Sequence, residues 1–67
     1  MKAKDLKDQI PYKGIKKGKK EILLTRNPIR TMFWVYKVED EEYTLLKKFT
    51  DLREANDFAE DEYEKLT

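Results

Sequence analysis

The sequence predicts an α+β fold in which a three-stranded antiparallel sheet is packed by one C-terminal helix. Short segments rich in β-branched and aromatic residues occupy the middle of the chain, and a capping signal followed by helical periodicity lies near its end. The length of 67 residues allows one domain with a small core. A strand of seven residues spans about 24 Å and a helix of fifteen about 22 Å, so the two layers match in length.

The chain divides into a basic, partly flexible N-terminal arm (1–20) and a sheet-plus-helix domain (21–67). Gly14 and Gly18 stand four residues apart among the lysines of the arm, a spacing typical of turns. Three apolar residues of the arm could anchor it on the domain and extend the sheet: Ile10, Tyr12 and Ile15.

Three strands are predicted after the arm. The first is Ile22–Arg26, and Asn27-Pro28 marks the turn that ends it. Thr31–Val38 is dense in β-forming residues and gives the strongest strand signal. The acidic segment Glu39–Glu42 has the length of a hairpin loop, and Tyr43–Phe49 forms the third strand.

A helix is predicted from about Leu52 to Leu66. Asp51 is the expected N-cap, and Glu54 completes a capping box three residues later. A spacing of 100° per residue places an apolar set on one face, with Phe58 at its edge. That set is Leu52, Ala55, Ala59, Tyr63 and Leu66. The opposite face is acidic and carries Glu54, Asp57, Glu60, Asp61 and Glu64.

Both faces of the predicted sheet are apolar, although one helix covers only one of them. With Val38 opposite Tyr43, one face carries Trp34, Tyr36, Leu45 and Phe49. If Arg26 pairs with Thr31, the other carries Ile22, Leu24, Phe33, Val35 and Leu46. The second face must meet the N-terminal segment, another subunit or a ligand, and cover by Ile10, Tyr12 and Ile15 is favoured.

The helix face and the tryptophan are expected to share one core. Trp34 should be buried together with Leu52, Ala59 and Leu66. Because Leu66 lies on the last turn of the predicted helix, its replacement by alanine should cost less than that of Leu52.

The composition argues against an enzyme. The chain has no cysteine and no histidine, which excludes disulfides, thiol nucleophiles, Cys/His zinc sites and imidazole chemistry. No catalytic residue, metal ligand or cofactor is therefore expected. The longest uncharged stretch is Thr31–Tyr36, far short of the ~20 residues that span a bilayer. No apolar run follows the Lys-rich start, so we expect a cytoplasmic protein without membrane contact.

The charges are divided between the two halves of the chain. Residues 1–38 carry a net charge of +8 and residues 39–67 a net charge of −7. Such asymmetry points to nucleic acid, an acidic surface or self-association, and the alternative is a salt-bridged surface without a partner. The predicted phosphate-binding residues are Lys13, Lys16, Lys17, Lys19, Lys20, Arg26, Arg30, Lys37 and Lys48. Trp34, Tyr36 and Tyr43 could stack on bases if exposed, although a core role is favoured.

The segment that leads into the helix carries an aromatic residue, a cap, a Glu-Ala pair and a second aromatic: Phe49, Asp51, Glu54, Ala55 and Phe58. This pattern over Phe49–Ala59 resembles the N-terminal arm-DNA-binding domain of tyrosine recombinases (integrases). The resemblance implies three antiparallel strands and a helix, a sheet that enters the major groove, and a phage or mobile-element context. The acidic loop Glu39–Glu42 departs from a DNA-facing loop, and only a stand-alone binder is implied. A chromo-like domain shares the layout and would imply a peptide partner.

The sequence thus predicts a small non-enzymatic nucleic-acid-binding domain, with DNA favoured, that is a monomer or a weak homodimer. Phosphates would meet the basic arm and the exposed sheet face, from which Lys37 and Lys48 project. The alternative is a protein-interaction module, a small phage-like regulator or inhibitor that uses its second apolar sheet face or its acidic helix. The residues of that helix are Asp57, Glu60, Asp61 and Glu64. A third interpretation is a head-to-tail or symmetric oligomer joined by the basic and acidic halves.

Overall fold

The computed structural model describes residue 6 and residues 8–66. It contains a four-stranded antiparallel sheet in sequential order followed by one helix, so the α+β class is confirmed and the strand number of three is wrong. The elements are β1 (Ile10–Lys17), β2 (Lys20–Arg26), β3 (Phe33–Glu39), β4 (Glu42–Phe49) and α1 (Leu52–Glu64). The additional strand comes from the segment that the sequence assigned to the basic arm.

Strand β1 lies at an edge of the sheet, which explains why its sequence gives so weak a signal. It pairs with β2 on one side, and its side chains are mostly exposed. Its sequence therefore needs no alternation of apolar and polar residues. Ile15 lies opposite Ile22 and carries the apolar part of the pairing. Gly18 makes the tight turn into β2 with a φ of 63°, a conformation that favours glycine.

The core lies between α1 and the two central strands. Four sheet residues on the helix side are buried: Ile22, Leu24, Phe33 and Val35. The sequence grouped these four on one face, but it placed the helix against the opposite face, that of Trp34, and this placement is wrong. Ala55 and Ala59 face them from the helix and are fully or almost fully buried. Their small side chains let the helix approach the sheet closely.

A bulge in β4 changes the predicted register. Tyr36 lies opposite Leu45 but Val35 lies opposite Lys47, which leaves Leu46 as the additional residue. Phe49 is thereby moved to the helix side, where its ring centre is 5.3 Å from that of Phe58. The prediction that Phe49 shares a face with Trp34 is wrong for this reason.

Trp34 does not belong to the core beneath the helix. Successive strand residues point to opposite faces, so Trp34 points away from the side that Phe33 and Val35 occupy. It lies between Thr25 and Lys48 and is partly exposed. The predicted burial of Trp34 against α1 is therefore wrong, whereas the burial of Ala59 and Leu66 is confirmed.

The second sheet face is covered in part by the chain just before β1. Leu6 is buried, and the Gln9 backbone N–H donates to its carbonyl oxygen at 2.8 Å. The side-chain Oε1 of Gln9 accepts hydrogen bonds from the hydroxyls of Thr25 and Tyr36, both of which are almost fully buried. These two hydroxyls are thus satisfied inside the protein, as buried polar groups require.

The residues predicted to provide this cover lie elsewhere. Ile10 and Tyr12 belong to β1 and remain 38% and 51% exposed, because an edge strand extends the sheet and does not lie across it. Ile15 is partly buried within the same strand. Cover by Ile10, Tyr12 and Ile15 is therefore wrong.

The helix begins as predicted. The Asp51 carboxylate accepts a hydrogen bond from the Glu54 backbone N–H at 3.1 Å, which satisfies one of the free donors of the first turn. The helix ends at Glu64, and Lys65 is the C-cap. Leu66 lies beyond the helix yet is buried in the core, and its backbone N–H donates to the carbonyl of Tyr63 at 3.1 Å.

The burial of Leu66 reverses the expected order of two substitutions. Leu66 is a buried core residue and Leu52 only packs against the core while partly exposed. We predict that Leu66→Ala lowers the free energy of unfolding by about 2–3 kcal/mol and Leu52→Ala by about 1–2 kcal/mol. Urea unfolding of both variants measures this, and a larger loss for Leu52→Ala would contradict the observed core.

The β3–β4 turn contains backbone strain that can be relieved. Asp40 and Glu41 adopt φ values of 52° and 65°, and a side chain such as that of Glu41 is disfavoured in this conformation by roughly 1–2 kcal/mol. Glu41→Gly should therefore raise the free energy of unfolding by about 1 kcal/mol. Lys19→Gly is the matched control in the β1–β2 turn, because Lys19 is not among the residues with positive φ. An equal gain from both changes would argue against relief of strain.

Candidate nucleic-acid interface

The antiparallel strands place the connections of the chain at two opposite ends of the sheet. The pairing of Lys20 with Glu39 puts the β1–β2 and β3–β4 turns together at one end, here called the hairpin end. Arg26 lies opposite Phe33, so the expected pairing of Arg26 with Thr31 is wrong by two residues, and Phe33 lies opposite Phe49. The β2–β3 loop (27–32) and the first turn of α1 are therefore at the other end, here called the loop end. The predicted phosphate-binding residues are distributed over both.

At the hairpin end the lysines lie beside carboxylates. Lys20 is the cross-strand partner of Glu39. The hollow between the two turns is lined by lysines and acids alike, among them Lys16, Lys19, Lys20, Glu21, Asp40 and Glu41. Opposite charges at such short range offset one another, so the lysines do not form a uniformly positive surface. The strongest basic run of the sequence thus faces the acidic turn of the neighbouring hairpin.

Two further lysines contact the helix. The Nζ atom of Lys13 donates to Asn56 Oδ1 at 3.1 Å and to Glu60 Oε2 at 3.3 Å. The Nζ atom of Lys17 lies 5.2 Å from the ring centre of Tyr63, within cation–π range. These contacts hold the edge strand β1 against α1. They also engage Glu60, one of the residues of the alternative protein-binding surface.

Lys37 and Lys48 lie on opposite faces of the sheet. Lys37 is opposite Ile22 and therefore on the helix side, whereas Lys48 is opposite Trp34 on the other side. In an unbroken register the two would share one face, and the β4 bulge at Leu46 separates them. The expectation that both project from one exposed face is wrong.

At the loop end, Asn27 organises the β2–β3 loop. Its Oδ1 atom accepts the backbone N–H groups of Thr31 and Met32 at 2.8 and 3.0 Å. Its own backbone N–H donates to the Met32 carbonyl at 3.1 Å, and its Nδ2 donates to the Thr31 hydroxyl at 2.8 Å. An asparagine in such a position replaces the backbone partners that a loop lacks. The loop is therefore tied across its base.

Arginines lie on both sides of the loop tip. The Nη1 atom of Arg26 donates to the carbonyls of Asn27 at 3.1 Å and Pro28 at 3.4 Å. Arg30 has a φ of 61°, and its backbone N–H donates to the Asn27 carbonyl at 3.1 Å. Between them Ile29 is 75% exposed. The tip thus presents one apolar side chain with a cation on either side.

All three arginines of the chain lie at the loop end. Arg26 and Arg30 belong to the loop and its flank, and Arg53 lies in the first turn of α1, where it lines an open hollow with Tyr12. The sequence did not reveal Arg53 as a site residue, because its position depends on the direction in which the helix crosses the sheet. Three of the four large apolar residues most exposed in the described part of the chain share this end: Ile10, Tyr12 and Ile29.

The three aromatic residues considered for base stacking differ in their exposure to solvent. Tyr36 is almost fully buried, so it cannot receive a base. Tyr43 is partly buried and packs edge-on against Tyr36 with ring centres 6.3 Å apart. Trp34 remains partly exposed beside Lys48. Of the three, Tyr36 is excluded by its position in the structure.

The outer face of the helix is acidic, as predicted. Asp57, Asp61 and Glu64 are exposed on the side away from the sheet. Over residue 6 and residues 8–66, no three Asp, Glu, His or Cys side chains are grouped so as to hold a metal ion. Within the same residues, no helix has the length and apolar character needed to cross a membrane.

Comparisons with protein-family models, curated proteins and solved structures gave no match to this chain. The resemblance of Phe49–Ala59 to the integrase arm-binding domain stays a prediction. In the structure the residues of that pattern have local roles: Asp51 caps the helix, Ala55 is buried in the core and Phe49 packs on Phe58. Folding alone therefore accounts for the pattern.

The side chain of Asn27 should control the order of the loop. Asn27→Ala removes the acceptor of two backbone N–H groups, and we predict a loss of about 1–2 kcal/mol in local stability. Amide exchange at Thr31 and Met32 should then become about tenfold faster. Asn56→Ala, which removes a side-chain contact to Lys13, is the control and should leave both amides unchanged. Unaltered exchange in Asn27→Ala would contradict the role of this residue.

Proposed function

We propose that the protein is a small nucleic-acid-binding domain that contacts phosphates mainly through its loop end. The placement of Arg26, Arg30 and Arg53 at the same end of the sheet carries the proposal. A guanidinium presents several N–H donors in a planar fork that fits phosphate oxygens and keeps its charge at any physiological pH. Lys48 lies near the end of β4 and adds a fourth cation there.

The geometry favours the loop end over the lysine-rich hairpin. Phosphates that approach the hairpin end would meet Asp40 and Glu41 together with the lysines, and like-charge contact opposes binding. Lys13 and Lys17 already contact the helix. The hairpin lysines are therefore assigned a smaller share of the affinity than the sequence suggested.

The direction of the helix also favours binding at the loop end. It begins at the loop end, so its partial positive charge lies there, and most of its carboxylates lie in the later turns. Of the two acids near its start, Asp51 is engaged as the N-cap. The carboxylates along the outer face of the helix oppose the approach of a polyanion to that face.

A protein-interaction module is the second candidate. It is favoured by Leu45, which is 43% exposed on the sheet face away from the helix, beside the partly exposed Trp34, Val38 and Tyr43. Such a partner would pack on apolar side chains, so its binding would depend little on salt. The acidic helix residues Asp57 and Asp61 could add contacts to a basic partner.

Salt dependence on duplex DNA distinguishes the loop end from the hairpin end. We predict that the wild-type affinity falls with a log–log salt slope of roughly −3 to −4, about −0.9 for each phosphate contact. Two variants each remove three positive charges. The loop-end variant replaces Arg30, Lys48 and Arg53 by Gln, and the hairpin variant replaces Lys16, Lys19 and Lys20 by Gln.

The loop-end variant should flatten the slope by about 2–3 units, and the hairpin variant by less than ~1 unit. Both should keep the unfolding free energy of the wild type within ~0.5 kcal/mol, because the substituted residues make few packing contacts. Asp57→Asn with Asp61→Asn should leave DNA binding unchanged or make it slightly tighter, because these carboxylates only repel phosphates. Equal flattening by the two triple variants would contradict the assignment to the loop end. No binding near 50 mM salt at ~100 μM protein would overturn the nucleic-acid proposal and favour the interaction module.

A further inference from the structure

Ile29 is the most exposed large apolar residue in the described part of the chain, at 75%. Tyr12 and Leu45 follow at 51% and 43%. A scattered apolar residue on a surface needs no explanation by itself. Ile29 differs because of where it lies: it is at the tip of a loop that is tied by hydrogen bonds, with an arginine on either side in the chain.

The loop is prepared for contact before any ligand binds. Asn27 ties the two sides of the loop together through four hydrogen bonds, and Pro28 fixes the backbone just before Ile29. Arg26 adds hydrogen bonds to the carbonyls of Asn27 and Pro28. A side chain presented in this way loses little further freedom when it binds, which favours affinity.

The charges beside Ile29 select the type of surface that it can enter. Arg26 lies on one side of the tip and Arg30 directly follows Ile29. On a protein, an apolar pocket would have to carry an acid on each side to pair with the two guanidinium groups. The minor groove of DNA instead offers a phosphate wall on each side and base steps between them, about 6 Å apart from wall to wall.

We propose that the β2–β3 loop enters the minor groove of duplex DNA, where Ile29 wedges into a base step and bends the duplex. This inference rests on the nucleic-acid-binding function proposed above. Arg26 and Arg30 contact the phosphate walls or the negative floor of the groove. Unstacking is easiest at pyrimidine–purine steps, so a TA or CA step is the expected site. The minor groove of A-form RNA is wide and shallow, so its two walls would not both contact the arginines beside the wedge. Duplex DNA is therefore the expected ligand.

The bend can be measured by energy transfer between dyes at the two ends of a duplex of about 30 base pairs with a central TA step. Wild-type protein and Ile29→Leu, which keeps an apolar tip, should both bring the ends closer. Both should also bind a nicked or mismatched duplex about tenfold more tightly than an intact one, because unstacking there is already partly complete. An RNA duplex of equal length should bind more weakly and show no bend.

Ile29→Ser is the decisive variant, and Leu45→Ser is its control because Leu45 is also exposed but lies on the sheet face. Ile29→Ser should keep the wild-type salt slope within about 0.5 units, since no charge is removed, and should lose the bend and the preference for nicked DNA. Leu45→Ser should behave as wild type.

Two results overturn the inference in distinguishable ways. If the wild type binds DNA with the expected salt slope but does not bend it, or if Ile29→Ser bends it equally well, the wedge is refuted and the nucleic-acid function stands. If the wild type binds no duplex at low salt, both the wedge and the function on which it rests are refuted.

Discussion

The contact of Ala55 and Ala59 with the centre of the sheet determines how the rest of the molecule is arranged. The two alanines lie against the buried side chains of β2 and β3, and their small size brings α1 close to the strands. Lys13 and Lys17 then reach the helix from β1, and Phe49 meets Phe58 on its other flank. Since the helix starts beside the β2–β3 loop, this packing also brings Arg53 to the end that carries Arg26 and Arg30. One packing contact thus organises both the core and the candidate interface.

The second sheet face is stabilised differently, by polar contacts from a short turn. Gln9 accepts the hydroxyls of Thr25 and Tyr36, and Leu6 is buried close by in the chain. A chain of this size has too few apolar residues to cover both faces of a sheet with helices. Because the central buried hydroxyls are hydrogen-bonded, the sheet is stable with a helix on one face only, although Trp34 and Leu45 remain partly exposed on the other face.

The central strands and the helix could be predicted because their signals are local. Thr31–Val38 is rich in β-forming residues, and Asp51 with Glu54 marks the start of the helix at the observed position. Strand β1 could not, because an edge strand with mostly exposed side chains needs no apolar alternation. The bulge at Leu46 could not be predicted from the sequence either. It places Phe49 and Lys48 on the faces opposite to those that a regular register predicts. The lysine run was visible in the sequence, but its position beside the acidic turn depended on the pairing of Lys20 with Glu39.

The central claim is that a polyanion binds at the loop end of the sheet and not at the lysine-rich hairpin. Titration of isotopically labelled protein with a short DNA duplex, followed by backbone amide chemical shifts, tests this claim most directly. The account predicts that the largest shift changes map to residues 26–32 and to the amide of Arg53, with small changes at residues 16–20 and 40–41. Dominant changes at residues 16–20, with the loop unaffected, would contradict it.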